Sequence, residues 1–423
     1  MREQTLKVGL LAGAITFLST PALALEIRTD GFASIVYGQT FDKDELDNNG
    51  EFRGYNEKAD FQADSLYGIQ FSTQLTDDVT ATGQITGKGN DNFKAKVSWA
   101  YLTFEINDEW RLKAGRQRIP FFLYSDFLDV GYAYSWISPP HEVYNLGGFD
   151  NIDGLTLQYN TDIGPWVSRL SLVYGSSDTD VEVQGNISNI LTDNFWDVTW
   201  NMNWDWLTIQ LTYSESEVTL QGFNDLAAGI NDLNNAAILY GIPGATALTR
   251  DQLDYISSET DRSHFTGVAL AGDWGTYFAV AEWTKIELSD APNSHDRSAW
   301  YVAGGYRHNK YVFTLTYAEY DDPNNPDTLD TVEAITPTLG QVALGGTGND
   351  VLQAGAVQLL DNLGAYLVGR KSESYNLAVR YDLNQSTAIK MDYTSESVEY
   401  DPGTGTKIDR DPSLIRVGVD VVF

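Results

Sequence analysis

The chain of 423 residues has no cysteine, only four histidines, and no apolar run that approaches the length of a membrane-spanning helix. The missing cysteine excludes a disulfide framework and any cysteine-ligated metal site. An HExxH zinc motif, a G-x-S-x-G nucleophile motif and a Walker-type phosphate loop are absent from the sequence as well. We therefore expect no catalytic residue, no bound metal and no cofactor.

Basic residues are scarce, because 27 Lys+Arg stand against 59 Asp+Glu and give a formal net charge of −32. So acidic a chain offers no extended surface for nucleic acid, and no nucleic-acid partner is expected. Charged residues make up 20% of the chain and aromatic residues 13%, a balance that argues against disorder. The composition is therefore that of a folded protein with a strongly acidic surface.

Residues 1–24 have the pattern of a targeting segment. A basic start precedes the apolar run Val8–Leu18, and an A-x-A cleavage site ends at Ala24. Because a spanning helix needs about 20 apolar residues, the segment predicts a cleaved signal peptide. The folded part is then a single domain of residues 25–423. Export of a chain without cysteine indicates the periplasm or the outer membrane of a Gram-negative bacterium.

Apolar and polar residues alternate with a period of two through most of this domain. At the C-terminus, Val417, Val419 and Val421 share one face, whereas Arg416 and Asp420 share the other. The pattern predicts β-strands with one apolar and one polar face. It fits a soluble sandwich, with the apolar face in the core, and it equally fits a membrane barrel, with that face against lipid. Periodicity alone leaves both readings open.

The lengths of the connections separate the two readings. Sixteen strands are expected near 27–41, 64–74, 79–86, 97–106, 110–116, 154–161, 166–174, 195–203, 206–214, 264–273, 276–285, 299–308, 311–320, 374–383, 387–395 and 413–423. Seven short turns alternate strictly with eight long loops at 42–63, 87–96, 117–153, 175–194, 215–263, 286–298, 321–373 and 396–412. Short turns on one side and long loops on the other are typical of outer-membrane barrels.

The fold class that follows is all-β, a transmembrane antiparallel barrel of 16 strands. Backbone groups in lipid must all be paired, and only a closed sheet satisfies this chain in a membrane. Aromatic residues crowd the expected strand ends, as interfacial girdles require. They are Trp99, Tyr101, Trp110, Tyr159, Trp166, Trp206, Tyr213, Trp274, Tyr306, Tyr311, Tyr317, Tyr381 and Tyr393.

The whole of 25–423 resembles the Gram-negative general porin family. Sixteen strands, a long connection after strand five and a terminal Phe423 after alternating valines carry the resemblance. It implies a homotrimer with one pore per subunit and a third external loop folded into each lumen. The end of the chain resembles the signal read by the outer-membrane insertion machinery. Outer-membrane lipid and lipopolysaccharide are the surroundings that the resemblance implies.

Three functions are compatible with such a barrel. The first is a porin, a water-filled channel for passive diffusion of small hydrophilic solutes and ions. The second is a substrate-selective channel for sugars, phosphate or organic anions. The third, from another class, is a barrel that serves adhesion or lipid hydrolysis. The resemblance favours the first, which is not an enzyme.

By the same resemblance, residues 117–153 form the constriction loop. The segment is too apolar to lie in solvent, and folding against the inner wall would bury its aromatic residues. It lacks the family's acidic-Phe-Gly-Gly stretch, so single positions are not carried over. The acids that could face the lumen are Asp126, Asp129, Glu142, Asp150 and Asp153.

A basic wall is expected opposite this loop. On strand five, Leu112 and Ala114 point to lipid, so Arg111 and Lys113 point inward. A base facing lipid at the midplane costs about 2–4 kcal/mol, which favours inward positions. The expected wall comprises Arg111, Lys113, Arg116, Arg118, Arg169, Arg307, Arg380, Lys390 and Arg416. These cations favour anions while acidic external loops favour cations, so the sign of selectivity stays open.

Overall fold

The computed structural model describes residues 26–41, 45–46, 50–145, 150–183, 186–220, 223–243, 245, 247–250, 252, 260–288, 296–324, 338–345, 347–357, 369–401 and 407–423. The predicted signal peptide, residues 1–24, lies outside them. None of the helices in these ranges is long and apolar enough to cross a membrane.

The described residues form one antiparallel sheet of sixteen strands. The strands are β1 Ile27–Thr40, β2 Leu66–Thr76, β3 Val79–Lys88, β4 Lys96–Glu105, β5 Trp110–Arg118, β6 Asn151–Ile163, β7 Trp166–Val183, β8 Asn186–Trp204, β9 Leu207–Leu220, β10 Thr260–Asp273, β11 Tyr277–Leu288, β12 Arg297–His308, β13 Tyr311–Asp322, β14 Gly369–Asn384, β15 Thr387–Asp401 and β16, which runs as Ile408–Arg410 and Ser413–Val422. Both segments of β16 pair with β15. The helices α1 His141–Tyr144 and α2 Phe223–Leu239 lie in the connections.

The sheet closes on itself between its first and last strands. β1 pairs with β2 on one side and with β16 on the other, where Phe32 lies opposite Val422. At the seam the Phe423 amide donates to the Gly31 carbonyl at 2.9 Å, and the Gly31 amide donates to the Phe423 carbonyl at 2.7 Å. A closed sheet has no unpaired edge, so its backbone is compatible with lipid. The predicted fold class, an antiparallel barrel of 16 strands, is confirmed.

The two faces of the sheet have opposite environments. On β9, Leu211 is 38% exposed, whereas its neighbours Gln210 and Thr212 are buried. On β16, Val417 and Val419 are exposed in the same way, whereas Arg416 and Asp420 on the opposite face are buried. The apolar face therefore points outward and the polar face inward. This arrangement is the inverse of a soluble sandwich and the one expected in lipid.

The short connections gather at one end of the barrel, here called the short-turn end, and the long ones at the other, the loop end. Tight hairpin turns need backbone with positive φ. Gly275, with φ +80°, and Asn309, with φ +54°, provide it in the turns after β10 and β12. Aromatic pairs lie at the same end, including Trp206 with Trp274 at 5.3 Å and Tyr311 with Tyr381 at 4.9 Å. Such a belt is typical of a membrane interface.

Two of the expected long loops differ from the structure. Most of 175–194 belongs to a hairpin, because β7 and β8 stay paired from Ser177 opposite Thr192 to Val183 opposite Asn186. The prediction ended each strand at its last apolar residue, where the lipid ends. Beyond that point β-branched residues continue the strand pairing in water. The expected loop 215–263 contains the end of β9 and helix α2.

Tyr101, expected in the girdle, shares the inward face with Lys113.

Candidate functional site

Loop three, residues 119–150, connects β5 to β6 and is described at 119–145 and 150. Its aromatic side chains pack against inward-facing residues of the opposite strands. The Phe121 ring lies 5.9 Å from Phe195 on β8 and 4.5 Å from Phe265 on β10. Trp136 lies 6.2 Å from Tyr301 on β12 and donates its indole N–H to Thr316 on β13 at 2.8 Å. The loop thus buries its apolar surface against the inner face of the sheet.

The inward faces of β8–β16, here called the covered wall, hold the loop by polar contacts as well. Glu282 on β11 accepts hydrogen bonds from the Leu123 amide at 2.9 Å and the Tyr144 hydroxyl at 2.5 Å. Thr199 on β8 and Gln210 on β9 both donate to the Pro120 carbonyl at 3.3 Å. Backbone groups of a loop that leaves water need such partners.

Lys390 on β15 is one of the expected pore-facing bases, and it is almost fully buried. Its ammonium donates to the carbonyls of Gly131 at 2.5 Å and Trp136 at 2.6 Å. It also pairs with Asp420 on β16 at 2.8 Å, and that carboxylate is equally buried. A buried amine needs an acid and acceptors around it. Lys390 therefore anchors loop three and does not face water.

Arg380 and Arg416 have the same role. Arg380 on β14 donates to the carbonyls of Tyr132 and Tyr134 in the loop. Arg416 on β16 forms a bidentate pair with Asp392 at 2.8–2.9 Å and donates to the Ser138 hydroxyl at 2.7 Å. Both residues were expected to face the water-filled lumen. They lie instead beneath loop three, whose backbone carbonyls and Ser138 hydroxyl accept their hydrogen bonds.

At the root of the loop, Arg118 is buried between two of the expected acids. Its guanidinium lies 2.5 Å from Asp129 and 3.3 Å from Asp150. Lys88, at the end of β3, approaches Asp129 at 2.9 Å. Burial opposes ionisation of Asp129, but the charges of Arg118 and Lys88 prevail and hold its pKa well below the usual range. Asp129 and Asp150 therefore neutralise local bases.

Glu142, in α1 of loop three, binds a base from loop one, the connection between β1 and β2. Arg53 lies 2.5 Å from Glu142 and 2.8 Å from Glu396 at the loop end of β15. Arg370 on β14 reaches the other oxygen of Glu396 at 2.7 Å. Burial, followed by the charge of Arg53, lowers the pKa of the adjacent His141 to about 4. Loop one thus fastens loop three to the covered wall.

Arg116 and Asp153 come together, but on the outward face of the barrel. Two hydrogen bonds of 2.8 and 2.6 Å join them across β5 and β6. Asp153 shares its face with Leu155, which is 49% exposed, and Arg116 is in register with outward-facing Ala100. Both residues were expected in the lumen, and the structure places them on the outside of the barrel instead.

Arg307, another expected wall residue, lies at the short-turn end of β12. Its guanidinium pairs with Asp273 at 2.8 and 2.9 Å and donates to the Gly275 carbonyl at 2.8 Å. Both partners belong to the end of β10 and its turn. Arg307 therefore stands at the mouth of the barrel, far along the strand from the loop anchors.

The inward faces of β4–β7, here called the exposed wall, carry the remaining expected bases. Arg111 donates to Glu105 at 2.6 Å, and Arg169 donates to the Asn160 amide oxygen at 2.9 Å. The ammonium of Lys113 lies 5.4 Å from the centre of the Tyr101 ring.

Asp126, exposed on the loop, acts electrostatically on both Lys113 and Tyr101. It is the expected loop acid that faces this wall.

Several residues that hold the site were missed in the sequence. Lys88, Arg53, Asp392, Asp420 and Glu282 all contact the loop or its anchors. For the ion pairs of Asp392 and Asp420, the sequence does contain a signal. Acids and bases occupy polar-face positions of neighbouring strands β15 and β16, where cross-strand pairing brings opposite charges together. No local pattern marked Arg53 or Lys88, because their partners lie in another loop.

No family model matches the chain, and no curated protein matches it in sequence. Solved structures do match in fold. The outer-membrane channel DcaP of Acinetobacter baumannii aligns with a TM-score of 0.56 at 12% identity, over 94% of this chain and 97% of the other. A loop-deletion mutant of the Vibrio cholerae outer-membrane protein OmpT gives 0.54 at 11%, over 95% and 100%. Salmonella typhi OmpF, solved with daunomycin, gives 0.52 at 13%, over 94% and 97%.

The chain thus has the closed-barrel fold of outer-membrane channels. At identities of 11–13% the likeness concerns the fold, and it extends over nearly the whole of each chain. The resemblance to the general porins seen in the sequence is confirmed at that level.

Proposed function

We propose that the protein lies in the outer membrane of a Gram-negative bacterium as a porin. Small hydrophilic solutes and ions diffuse passively through its water-filled lumen. One observation carries the proposal: charged side chains line the inside of a closed barrel whose outside is largely apolar. Bases that pointed into hydrocarbon would each cost about 2–4 kcal/mol at the midplane, so the lumen must hold water.

In this proposal loop three narrows the lumen from one side. Its anchors lie on the covered wall, from Thr199 on β8 to Arg416 on β16. The solute path then runs beside the exposed wall, between Lys113 and the loop residue Asp126. The structural relatives, which include the outer-membrane channel DcaP, agree with such a role.

Conductance in planar bilayers tests the proposal. Purified protein is expected to produce discrete ohmic current steps, and heat-unfolded protein from the same preparation serves as the control. Liposome swelling with sugars of graded size should show rates that fall steadily with size. Protein that inserts but gives no steps above the control would overturn the channel function. A single sugar that passes far faster than its size allows would favour a substrate-selective channel.

We also infer that copies associate as homotrimers through the outward face of β4–β6. The ion pair Arg116–Asp153 lies there beside small side chains such as Ala100. An outward ion pair is better placed against a second copy than against lipid. Native mass spectrometry in mild detergent should give a trimer, which Arg116→Glu weakens and Arg116→Glu with Asp153→Arg restores. A wild-type monomer in detergent and in cross-linked membranes would contradict the interface.

The end of the chain supports recognition by the outer-membrane insertion machinery. Phe423 closes the barrel seam, and its ring packs over Gly31, where an added Cβ would lie 2.3 Å from a ring atom. Deletion of Phe423 should lower the amount of folded barrel in outer membranes more than it slows refolding in detergent. Equal losses in both assays would assign Phe423 to stability alone.

A further inference from the structure

The exposed wall differs from the rest of the barrel in how its bases are paired. Within the part of the chain that the structure describes, no carboxylate lies within 4.0 Å of the Lys113 ammonium or the Arg169 guanidinium. Arg111, between them, is bound to Glu105 at 2.6 Å. The exposed wall therefore presents two positive charges that no acid neutralises at contact distance.

The three bases form one inward-facing group across neighbouring strands. Arg111 on β5 is in register with Gln158 on β6, and Asn160, two residues further along β6, is in register with Arg169 on β7. Strands in a sheet lie about 4.8 Å apart, so β5 and β7 are separated by about 10 Å. Long side chains bridge that separation, and both Arg111 and Arg169 act electrostatically on Lys113.

The acidic side of the lumen is weaker than the sequence suggests. Asp129 and Asp150 are held by Arg118 and Lys88, and Glu142 is held by Arg53. Among the expected loop acids, this leaves Asp126 facing the exposed wall. Around Lys113, the bases Lys113, Arg111 and Arg169 outnumber the acids Asp126 and Glu105, so this part of the lumen is positive. Asp162, also on the inward face of β6, lies nearer the short-turn end.

The acidic surplus of the whole chain does not cancel that local charge. At physiological ionic strength the Debye length is about 8 Å, so acids in external loops are screened from the middle of the barrel. Low-dielectric walls concentrate the field of nearby charges inside the lumen. The exposed wall also offers aromatic surface, because Tyr101 lies under the Lys113 ammonium and Trp99 lies 6.3 Å from Tyr101.

We propose that the exposed wall is a binding site for small organic carboxylates and makes the channel prefer anions. Lys113 and Arg169 bind the carboxylate, and the Tyr101 ring contacts the solute's apolar part. The inference rests on the proposed channel function and adds a solute class to it. It predicts anion preference in a protein whose formal net charge is −32.

The reversal potential across a tenfold KCl gradient is the first test. Wild-type channels should give an anion-selective reversal potential. Lys113→Gln and Arg169→Gln should each lower the anion-to-cation permeability ratio by about thirtyfold, because one unit charge at about 4 Å in water attracts an anion and repels a cation by about fivefold each. Lys310→Gln is the matched control, because Lys310 lies at the β12–β13 turn and binds the Leu383 carbonyl. Cation preference in the wild type, or equal ratios in all variants, would overturn the site.

Benzoate and benzyl alcohol provide a second test that separates charge from ring. Benzoate should reduce chloride current saturably in the wild type, whereas the neutral alcohol should not. Lys113→Gln should abolish the block, and Tyr101→Leu should weaken it without changing the reversal potential. Block that survives in Lys113→Gln and Arg169→Gln would contradict the proposal. Failure of all proteins to conduct would instead refute the channel function, and folded mobility on gels shows that each variant is assembled.

Discussion

The covered wall and the exposed wall belong to one barrel, yet they use their basic side chains in opposite ways. On the covered wall, Arg380, Lys390 and Arg416 are bound to carbonyls and carboxylates beneath loop three. On the exposed wall, Lys113 and Arg169 have no acid at contact distance among the described residues. The inward direction of a base therefore does not define its role. Its role depends on whether loop three lies over it.

Desolvation explains the division. A charge that leaves water costs several kcal/mol unless acids and acceptors surround it. Loop three removes water from the covered wall, so each base there is matched by an acid such as Asp392 or Asp420. On the exposed wall, Arg169 is exposed and Lys113 is half-buried, and neither has an acid at contact distance among the described residues. Changes on the covered wall should therefore alter stability, and changes on the exposed wall should alter permeation.

Lys390→Met is expected to have the largest effect on stability. It leaves Asp420 charged and buried, and it removes the donor to the carbonyls of Gly131 and Trp136. Loss of one partner of a buried pair costs about 3–5 kcal/mol. The free energy of unfolding in urea, followed by tryptophan fluorescence in detergent micelles, measures the change.

Lys113→Met is the matched control on the exposed wall. The same substitution there removes no buried pair, and the expected loss is about 0.5 kcal/mol or less. If both variants lost the same stability, the division of the barrel into two walls would fail.

Arg53→Gln should have an intermediate effect. The substitution removes the base that joins Glu142 of loop three to Glu396, while Arg370 still binds Glu396. Hydrogen bonds to charged groups contribute about 1.5–3 kcal/mol, which sets the expected destabilisation. Single-channel current noise should rise as α1 loosens. Arg28→Gln, which breaks the exposed pair with Asp30, should change neither property.

A smaller effect should follow from pH at His141. Burial and Arg53 lower the pKa of His141 to about 4, so the docked loop holds a neutral ring. The unfolded chain binds the proton near its usual pKa of about 6.5. Stability should therefore fall as pH decreases from about 6.5 towards 4. His141→Gln should flatten this part of the unfolding profile relative to the wild type, and identical profiles would contradict the assignment.

The sequence is sufficient for the barrel because alternation and turn spacing are local properties. Gly275 and Asn309 mark tight turns within a few residues of the strands they join. The outward position of Arg116 could also be predicted from the sequence. The alternation that puts Leu112 and Ala114 toward lipid puts residue 116 on the same face. Its partner Asp153 follows only from the register of β5 with β6.

The split between anchoring and exposed bases could not be predicted, because it depends on the path of loop three. Contacts of Phe121 with Phe265 and of Trp136 with Thr316 join residues more than a hundred positions apart. No local pattern encodes such contacts. Polar-face alternation identified Lys390 and Lys113 equally as inward bases, and only the loop above Lys390 makes the two different.

The smallest effect is expected at Arg307, which lies at the short-turn end of β12, far along the strand from the loop anchors. Its pair with Asp273 is exposed on both sides, and exposed pairs contribute about 0–1 kcal/mol. Arg307→Gln should therefore unfold within about 1 kcal/mol of the wild type. The Arg307 guanidinium also lies over the Phe278 ring at 4.6 Å, near the short-turn mouth where the lumen meets bulk solvent. Salt screens charges there more than beside loop three, so the reversal potential should move far less than in Lys113→Gln. A shift as large as that of Lys113→Gln would place the selective part of the channel at the mouth, and the exposed wall would lose its special role.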